Sequence, residues 1–485
     1  MAVAANRFQL ARTLDEDRAQ LRAPLQTDVI QKQQHVVYAD GLRTAGPGQT
    51  LRFNLPTDPS KFLDTLGSYF SCDLTITSGA AAATLLNDGT DTDSLIPLNG
   101  IASMISMVRL VSRGQIIEEI SEYGLIHQIV HEVTTPRDEL ASTGWIAGEC
   151  PRGTNTTAGK ITNRALNYHT AATASTTSSG VRRFCFKLDQ LGIFASQHYI
   201  PLEWIPMTIE VTFHQVNRCL RTDNFGTTGT PDAIADAIWS GATYLITEPQ
   251  FHAELLTFNA EYTAAVNNKI VTDGAIIPIK SYRHTSQFFT GSTQKMILTM
   301  KVKSLTRLLV VPRLNSTVNN GGLGMDQFIS SWTQNAEKPD GVSTVSGSTA
   351  AGEFTFYRFL IGSSPVTDHS IDCRNGGANQ AMEVMKYFRS LGNDLSFGYA
   401  SDVVGTGAYA NNFKSEYGLI AQNFNLEKIE TDDVFTGQFA NTFSDLTLEL
   451  DSSVTVADAD KILLDFFLQY NALLTVTPTA LLIES

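Results

Sequence analysis

Few residues of this 485-residue chain have the type and spacing that could do chemistry. His127 and His131 are four residues apart, a spacing that places two imidazoles on one face of a helix, where both can ligate a metal ion. The neighbouring sequence offers no third ligand, and paired histidines near a helix end more often have a structural role. We therefore expect neither a metal site nor a bound cofactor.

Carboxylates supply the other candidate groups. They stand close together in three places: Glu118, Glu119 and Glu122; Asp91 and Asp93; and Asp458 and Asp460. The glutamates could take part in acid–base catalysis, which requires a pocket, or could form the solvated face of a helix. The aspartates could bind calcium, but they lack the spacing of an EF-hand loop. None of the three groups by itself predicts a catalytic or metal site.

The sequence contains none of the short motifs that mark common enzyme classes. It has no GxSxG turn, no Walker A loop, no GxGxxG segment after a strand and no HExxH pair. Its cysteines are widely spaced and odd in number: Cys72, Cys150, Cys185, Cys219 and Cys373. They form neither a CxxC pair nor a Cys/His cluster, so we expect buried, reduced thiols. We predict no catalytic residue and a protein that is not an enzyme.

Size and charge narrow the class of protein. A chain of this length is too long for one core, which predicts about two to three domains. The net charge of −14 and the lack of any basic run argue against direct binding to nucleic acid. The sequence shows no signal-peptide-like segment and no stretch of the ~18–20 apolar residues that a membrane span needs. We therefore expect a soluble product made in the cytosol.

Alternating hydrophobic residues predict β-structure through most of the chain. The clearest strand lies at 207–213, where apolar residues point to one side and polar residues to the other. The aromatic segment 354–361 predicts a second-half strand whose rings serve the core and interfaces, not base stacking. Each half combines short strands, long polar loops and one helix. We predict an N-terminal arm at 1–35, a first β-domain at 36–244 and a second at 245–485.

Three helices and several long loops complete the predicted elements. An amphipathic helix at 6–23 either orders against a neighbouring subunit or another partner, or packs on its own domain. Apolar residues at helical spacing predict a short helix over 116–127 and another over 381–388. Polar or glycine-rich composition predicts loops at 78–94, 151–180, 217–243, 313–350 and 391–412.

Two segments of the first half resemble a known family. The first carries Gln197, Tyr199-Ile200-Pro201-Leu202, Trp204, Pro206 and Ile209-Glu210. The second is Gly100–Tyr123, in which an apolar strand runs into Gly114 and is followed by Ile117-Glu118, Ile120 and Tyr123. Both are similar to segments of double jelly-roll major capsid proteins of icosahedral double-stranded DNA viruses, particularly the polinton-like and adintovirus group.

The resemblance implies an all-β fold of two tandem eight-stranded jelly-roll barrels with short helices and long loops. It also implies a homotrimeric, pseudo-hexameric capsomer that tiles an icosahedral shell, with the virion capsid as its location. The implied partners are copies of this chain in the same and neighbouring capsomers, penton proteins, and minor capsid or cement proteins. An internal membrane is a further expected contact of the N-terminal arm.

Two other functions remain open at the level of the sequence. A jelly-roll surface protein of a virus could use its long loops to bind glycans or a receptor. A double-barrel enzyme of cupin type would need clustered His and Glu ligands on adjacent strands, whereas the nine histidines here are scattered. The oligomeric state and the metal content of the purified protein would separate these hypotheses.

Overall fold

Antiparallel β-sheets dominate the computed structural model of the chain. The structure describes residues 29–77, 95–97, 100–135, 144–148, 182–196, 198–222, 243–299, 302–314, 354–373, 378–390, 419–424, 438–440, 445–456 and 462–484. The predicted helix at 6–23, and the predicted loops except for a few residues at their ends, lie outside these ranges. No helix among the described residues is long and apolar enough to cross a membrane.

The first half of the chain forms two four-strand paths that make one barrel. Its strands are β1 (Val29–Tyr38), β2 (Thr44–Ala45), β3 (Thr50–Asn54), β4 (Lys61–Thr77), β5 (Leu95–Pro97), β6 (Ile105–Ser112), β7 (Gln115–Ser121), β8 (Arg182–Phe186), β9 (Tyr199–Pro201), β10 (Thr208–Phe213), β11 (Leu220–Thr222) and β12 (Thr243–Phe258). One path runs β1-β12-β4-β8 and the other β3-β10-β6-β7, while β5 pairs with β11. In chain order, the eight strands of the two paths therefore lie first-eighth-third-sixth and second-seventh-fourth-fifth.

The second half repeats this order strand for strand. Its strands are β13 (Ala275–Phe289), β14 (Gly291–Leu298), β15 (Val302–Leu314), β16 (Phe354–Ile361), β17 (Ser364–Pro365), β18 (Ile371–Asp372), β19 (Ile420–Asn423), β20 (Gln438–Ala440), β21 (Leu446–Val456), β22 (Ile462–Val476) and β23 (Leu481–Glu484). The paths are β13-β22-β15-β19 and β14-β21-β16-β17. The predicted all-β fold of two jelly rolls in tandem is confirmed.

Aromatic residues join the two sheets of each barrel. In the first barrel the ring of Phe53 on β3 meets that of Phe70 on β4 edge to face, with centroids 5.6 Å apart. In the second, Phe289 on β13 and Phe354 on β16 meet in the same way at 5.4 Å. The strand predicted at 207–213 is β10, whose inward residues are buried in alternation with half-buried polar ones. Period-two patterning thus places the cores where the sheets face each other.

The helices are short and occupy matching places in the two barrels. They are α1 (Tyr123–Thr134), α2 (Gly144–Ala147), α3 (Gly192–Ala195), α4 (Val216–Cys219), α5 (Ala260–Thr272) and α6 (Ala378–Arg389). In each barrel a helix of 12 residues, α1 or α6, follows the fifth strand and precedes the sixth. The prediction of a helix over 381–388 agrees with α6. The predicted helix over 116–127 is wrong in its first half, because residues 115–121 form β7, hydrogen-bonded to β6.

Strand pairing gives a sharper division of the chain than composition does. The predicted boundary at 244/245 falls inside β12, which pairs with β1, β2 and β4 of the first half. Helix α5 follows directly, and the next strand, β13, belongs to the second barrel. Residues 29–35, assigned to the arm from sequence, belong to β1. The two-domain division stays a prediction, and the pairing favours a boundary within 259–274.

Candidate functional site

The two barrels touch where β7 and α3 of the first lie against β13 of the second. Gly192, the first residue of α3, permits the closest approach. A Cβ atom added there would lie 2.2 Å from the main-chain oxygen of Lys280 on β13 and 2.9 Å from its nitrogen. Because no side chain fits at such distances, glycine is required for the barrels to meet in this way.

Glu118 on β7 fixes the position of α3 in this contact. Its Oε1 accepts the backbone N–H of Gly192 at 2.7 Å, and its Oε2 accepts that of Ile193 at 3.3 Å. The side chain is almost fully buried. Burial raises the pKa of the Glu118 carboxyl to about 7, although the two backbone N–H donors act in the opposite direction. Glu118 therefore changes charge near neutral pH.

Glu122, in the turn between β7 and α1, begins a chain of buried charges that crosses between the barrels. Its Oε2 lies 3.5 Å from Nη1 of Arg313, on β15 of the second barrel. The Nε of Arg313 donates to Oδ2 of Asp465 on β22 at 2.5 Å. The other oxygen of Asp465 lies 2.9 Å from Nε2 of His284 on β13. We call Glu122, Arg313, Asp465 and His284 the buried ion network.

Two basic side chains of the first barrel complete the surroundings of Glu122. Arg218 lies 3.2 Å from its Oε1, and His214 lies 3.6 Å from its Oε2. Burial alone would raise the pKa values of Glu122 and Asp465, but Arg313 and the neighbouring histidines outweigh it and lower both. Burial also lowers the pKa of His214. The two carboxylates are therefore ionised at neutral pH and held by Arg313 between them.

A further contact ties the β6–β7 turn to the C-terminal segment. Arg113 donates through Nη1 to the carbonyl oxygen of Thr477 at 3.2 Å and through Nη2 to that of Trp204 at 2.8 Å. The indole Nε1 of Trp204 in turn donates to Asn267 of α5 at 2.8 Å. The turn, the Pro-rich corner and the linking helix are thus joined by hydrogen bonds. The arrangement suits a role in holding the two barrels in one placement.

The structure brings one new residue to the predicted histidine pair. His127 and His131 lie on α1 with their rings stacked, centroids 4.1 Å apart. Asp189, between β8 and α3, places Oδ2 2.7 Å from Nε2 of His131 and Oδ1 3.5 Å from Nε2 of His127. One ligand atom from each residue lies within 4.8 Å of the others. The sequence search missed Asp189 because it lies 58 residues beyond His131.

The remaining candidates from the sequence separate into core, surface and undescribed residues. Glu119 is a surface residue that accepts from Arg109 at 2.7 Å, as a solvated strand face would. Glu118, by contrast, is buried and the Glu122 side chain is only 12% exposed, so the interpretation of a solvated helix face is wrong for them. The aromatics Phe354, Tyr357 and Phe359 are core residues, as are the thiols of Cys72, Cys219 and Cys373. Cys150, Asp91, Asp93, Asp458 and Asp460 lie outside the described residues.

Large apolar side chains are exposed on both barrels. In the first barrel they include Ile30, Tyr38, Leu66, Ile116 and Leu245, and in the second Phe288, Ile297, Met382 and Leu482. Ile30 and Tyr38 stand on β1 and Leu245 on the adjacent β12, so three of them share one sheet. Single exposed apolar side chains are common on protein surfaces, and it is a contiguous patch of them that marks a surface that contacts other proteins.

Comparison with known proteins identifies the fold. No protein-family model matches the sequence, and no curated protein matches it. Among solved structures, the chain is similar to one in the quasi-atomic model of the PBCV-1 virus capsid, with 10% identity, 94% of this chain and 96% of that chain covered, and a TM-score of 0.56. The Faustovirus major capsid protein matches at 12% identity over 93% and 91% of the two chains, with a TM-score of 0.56. The Sputnik virophage structure matches at 11% identity over 94% and 88%, with a TM-score of 0.54.

These similarities cover both barrels and the segment between them. At sequence identities this low, they establish the fold and nothing further. They agree with the strand order of the two halves and with the resemblance noted at 100–123 and 197–210. The chain has the fold of the double jelly-roll major capsid proteins of large DNA viruses and virophages.

Proposed function

We propose that this chain is a major capsid protein whose trimers tile an icosahedral virus shell. The observation that carries the proposal is the repeated strand order of two barrels in one chain, matched over more than nine-tenths of this chain by viral capsid structures. Its location is the virion capsid, after synthesis in the host cytoplasm. No catalytic role is part of the proposal.

The repeated barrel gives a physical reason for a trimer. Three copies of a chain with two similar barrels place six barrels around a threefold axis, and their outline approximates a hexagon. Hexagonal units can tile the flat faces of an icosahedron. The buried ion network supports this role because a tile requires its two barrels to keep one relative placement.

The exposed apolar residues supply the surface for contacts between copies. Ile30, Tyr38 and Leu245 on one sheet of the first barrel, and Ile297 and Leu482 in the second, would be covered on assembly. An obligate interface of this type is expected to exceed ~2,000 Å². The other proposed partners are penton proteins, minor capsid or cement proteins and, through the arm at 1–28, an inner membrane. Direct binding to nucleic acid is not expected for a chain of net charge −14.

Light scattering coupled to size exclusion, with negative-stain microscopy, tests the proposal. We expect three chains per particle and hexagonal outlines for the purified full-length protein at micromolar concentration. Two single variants, Ile30→Glu and Ile297→Glu, place a charge on each barrel's exposed surface, and we expect at least one to yield folded monomers with the circular dichroism spectrum of the wild type. A stable wild-type monomer would contradict the proposal. A hit on a glycan array without any assembly would favour the receptor-binding alternative.

A further inference from the structure

We propose that His127, His131 and Asp189 bind one divalent transition-metal ion, with Zn²⁺ the best-suited species. The three residues come from two segments, α1 and the turn between β8 and α3. Their nitrogen and oxygen ligand atoms lie within 4.8 Å of one another. Two neutral imidazoles and a carboxylate form a donor set that Zn²⁺ commonly takes, with a fourth position left for water.

The geometry places both imidazole nitrogens on the same carboxylate. Nε2 of His131 is 2.7 Å from one oxygen of Asp189, and Nε2 of His127 is 3.5 Å from the other. Ligands of a tetrahedral zinc ion stand about 2.0–2.2 Å from the metal, which puts them roughly 3–3.5 Å from one another. The His127 separation matches this spacing, whereas the His131 separation is that of a hydrogen bond and would lengthen by a few tenths of an ångström around an ion. A metal ion would take the place of the proton between His131 and Asp189.

Neighbouring side chains hold the ligands in orientation. Gln190 donates through Nε2 to Oδ1 of Asp189 at 3.2 Å. The His127 ring meets Phe186 of β8 edge to face at 6.0 Å and lies 5.7 Å from the ring of Tyr123. Such contacts fix ring and carboxylate directions around metal sites and affect affinity. The cluster is therefore supported by groups beyond the three ligands.

Access and donor type both favour a transition metal that enters from solvent. The His127 side chain is 2% exposed, whereas those of His131 and Asp189 are 28% and 36% exposed. The site is thus closed on the core side and open on the other. Calcium and magnesium prefer all-oxygen ligands, so the imidazoles select against them.

A bound ion would stabilise the contact between the barrels. Asp189 precedes Gly192 by three residues, and Gly192 is the glycine that meets Lys280 of the second barrel. Joining Asp189 to α1 would fix the segment that carries α3. The metal therefore connects the helix after the fifth strand to the inter-barrel contact. This inference stands on the cluster alone and does not depend on the proposed capsid role.

Metal binding by the full-length protein tests the inference directly. After dialysis against a chelator, the protein would be titrated with Zn²⁺ by calorimetry and with Co²⁺ by visible absorption. We expect one ion per chain and the intense absorption of tetrahedral cobalt. Asp189→Asn and His131→Gln should each weaken Zn²⁺ binding at least about tenfold. His127→Phe should do the same while it keeps a ring against Phe186.

A matched control uses a histidine from the other face of the same barrel. His252 lies 2.9 Å from the Ser71 hydroxyl and stacks on Tyr69, away from the cluster, so His252→Gln should bind Zn²⁺ like the wild type. No stoichiometric uptake by the wild type, or equal uptake by the ligand variants, would overturn the inference. The wild-type cobalt titration decides the matter even if a variant fails to fold. Particle size, measured separately, reports on the capsid proposal alone.

Discussion

Removal of the Arg313 side chain should destabilise the contact between the barrels more than any surface charge deletion. Arg313 is the only cation of the buried ion network that lies between both carboxylates, at 3.5 Å from Glu122 and 2.5 Å from Asp465. Its side chain is 9% exposed, and that of Asp465 is 1% exposed. Arg313→Met keeps the aliphatic length while it leaves two carboxylates buried without their shared partner.

The magnitude follows from the cost of an uncompensated buried charge. Removing one partner of a buried ion pair typically costs about 3–5 kcal/mol, whereas an exposed pair contributes about 0–1 kcal/mol. Arg52→Ala is the matched control, because Arg52 is 58% exposed and pairs with Glu210 at 2.7 Å. We expect a loss of about 3–5 kcal/mol for Arg313→Met and at most about 1 kcal/mol for Arg52→Ala. Domains are stable by only about 5–15 kcal/mol, so the first loss is large.

Chemical denaturation, followed by fluorescence and circular dichroism, measures the difference. We expect the Arg313→Met chain to unfold at lower denaturant concentration, with the two barrels separating into two transitions. A double-mutant cycle with Glu122→Gln isolates the inter-barrel pair from the pair within the second barrel. Equal losses of unfolding free energy for Arg313→Met and Arg52→Ala would refute the argument that burial makes this network cost more to break than a surface ion pair.

Acid should weaken the same network, and the sign follows from the pKa shifts. Arg313 and the histidines lower the pKa values of Glu122 and Asp465 below their ordinary values of 4.5 and 3.8. The stability that they contribute is therefore present above those ordinary values and is lost as the pH falls through the lower folded values. Wild-type stability should decline below about pH 4.5. In Arg313→Met the loss of stability on acidification should be shallower, because the residue that contributes most to lowering the pKa values of Glu122 and Asp465 has been removed.

Two further perturbations address the same contact. Burial raises the pKa of the Glu118 carboxyl to about 7, so the neutral form stabilises the folded chain, and this contribution is lost as the pH rises from the unfolded value of 4.5 towards 7. Glu118→Gln should therefore flatten the dependence of the unfolding free energy on pH across this window, which urea denaturation at several pH values would measure. A pH profile identical to that of the wild type would contradict the prediction. Gly192→Ala should cost about 1–3 kcal/mol by overpacking, since the new methyl group meets the main chain of β13. Gly46→Ala is the control, because a Cβ atom added there lies 3.8 Å from its nearest neighbour, and it should leave the unfolding free energy from urea denaturation almost unchanged.

Local patterns were sufficient to predict the elements whose burial depends on near neighbours. In β10 the alternation at 207–213 matches the alternating burial of the strand between β3 and β6. The predicted strand at 354–361 coincides with β16, and the predicted helix over 381–388 lies within α6. In each case one periodicity holds over the whole element, so the sequence contains the necessary signal.

The β7 segment shows where periodicity fails. Ile116, Ile120 and Tyr123 are spaced as on a helix, but the first two belong to a strand and the third begins α1. Ile116 is 50% exposed, whereas Ile117 and Ile120 are buried. The structure shows a two-residue hairpin turn before this strand, in which Arg113 and Gly114 both have the positive φ that such a turn requires. The hairpin, not the spacing of the isoleucines, decides the conformation.

Contacts between distant segments were beyond the sequence. The eighth strand of a jelly roll lies beside the first, so β12 belongs to the first barrel although it follows the segment predicted as a loop at 217–243. Composition predicted the boundary at 244/245, which cuts β12 near its first residue and separates it from the sheet to which it belongs. Asp189 meets the histidines through the packing of the first barrel, and Arg313 meets Glu122 across the contact between the two barrels. Neither pairing has a local signature, because a buried carboxylate and an exposed one look alike in a sequence.

Buried charges between the barrels also bear on how uniform the assembled particles are. An apolar contact tolerates small sliding, whereas Glu122 and Asp465 must both meet Arg313 in one arrangement. Replacing such a network by well-packed hydrophobic groups of similar volume is often neutral for stability. We therefore expect Arg313→Met combined with Glu122→Leu and Asp465→Leu to recover much of the stability lost by Arg313→Met alone, yet to give less uniform particles by electron microscopy. Particles as uniform as the wild type would show that the network stabilises the chain without specifying the placement of its barrels.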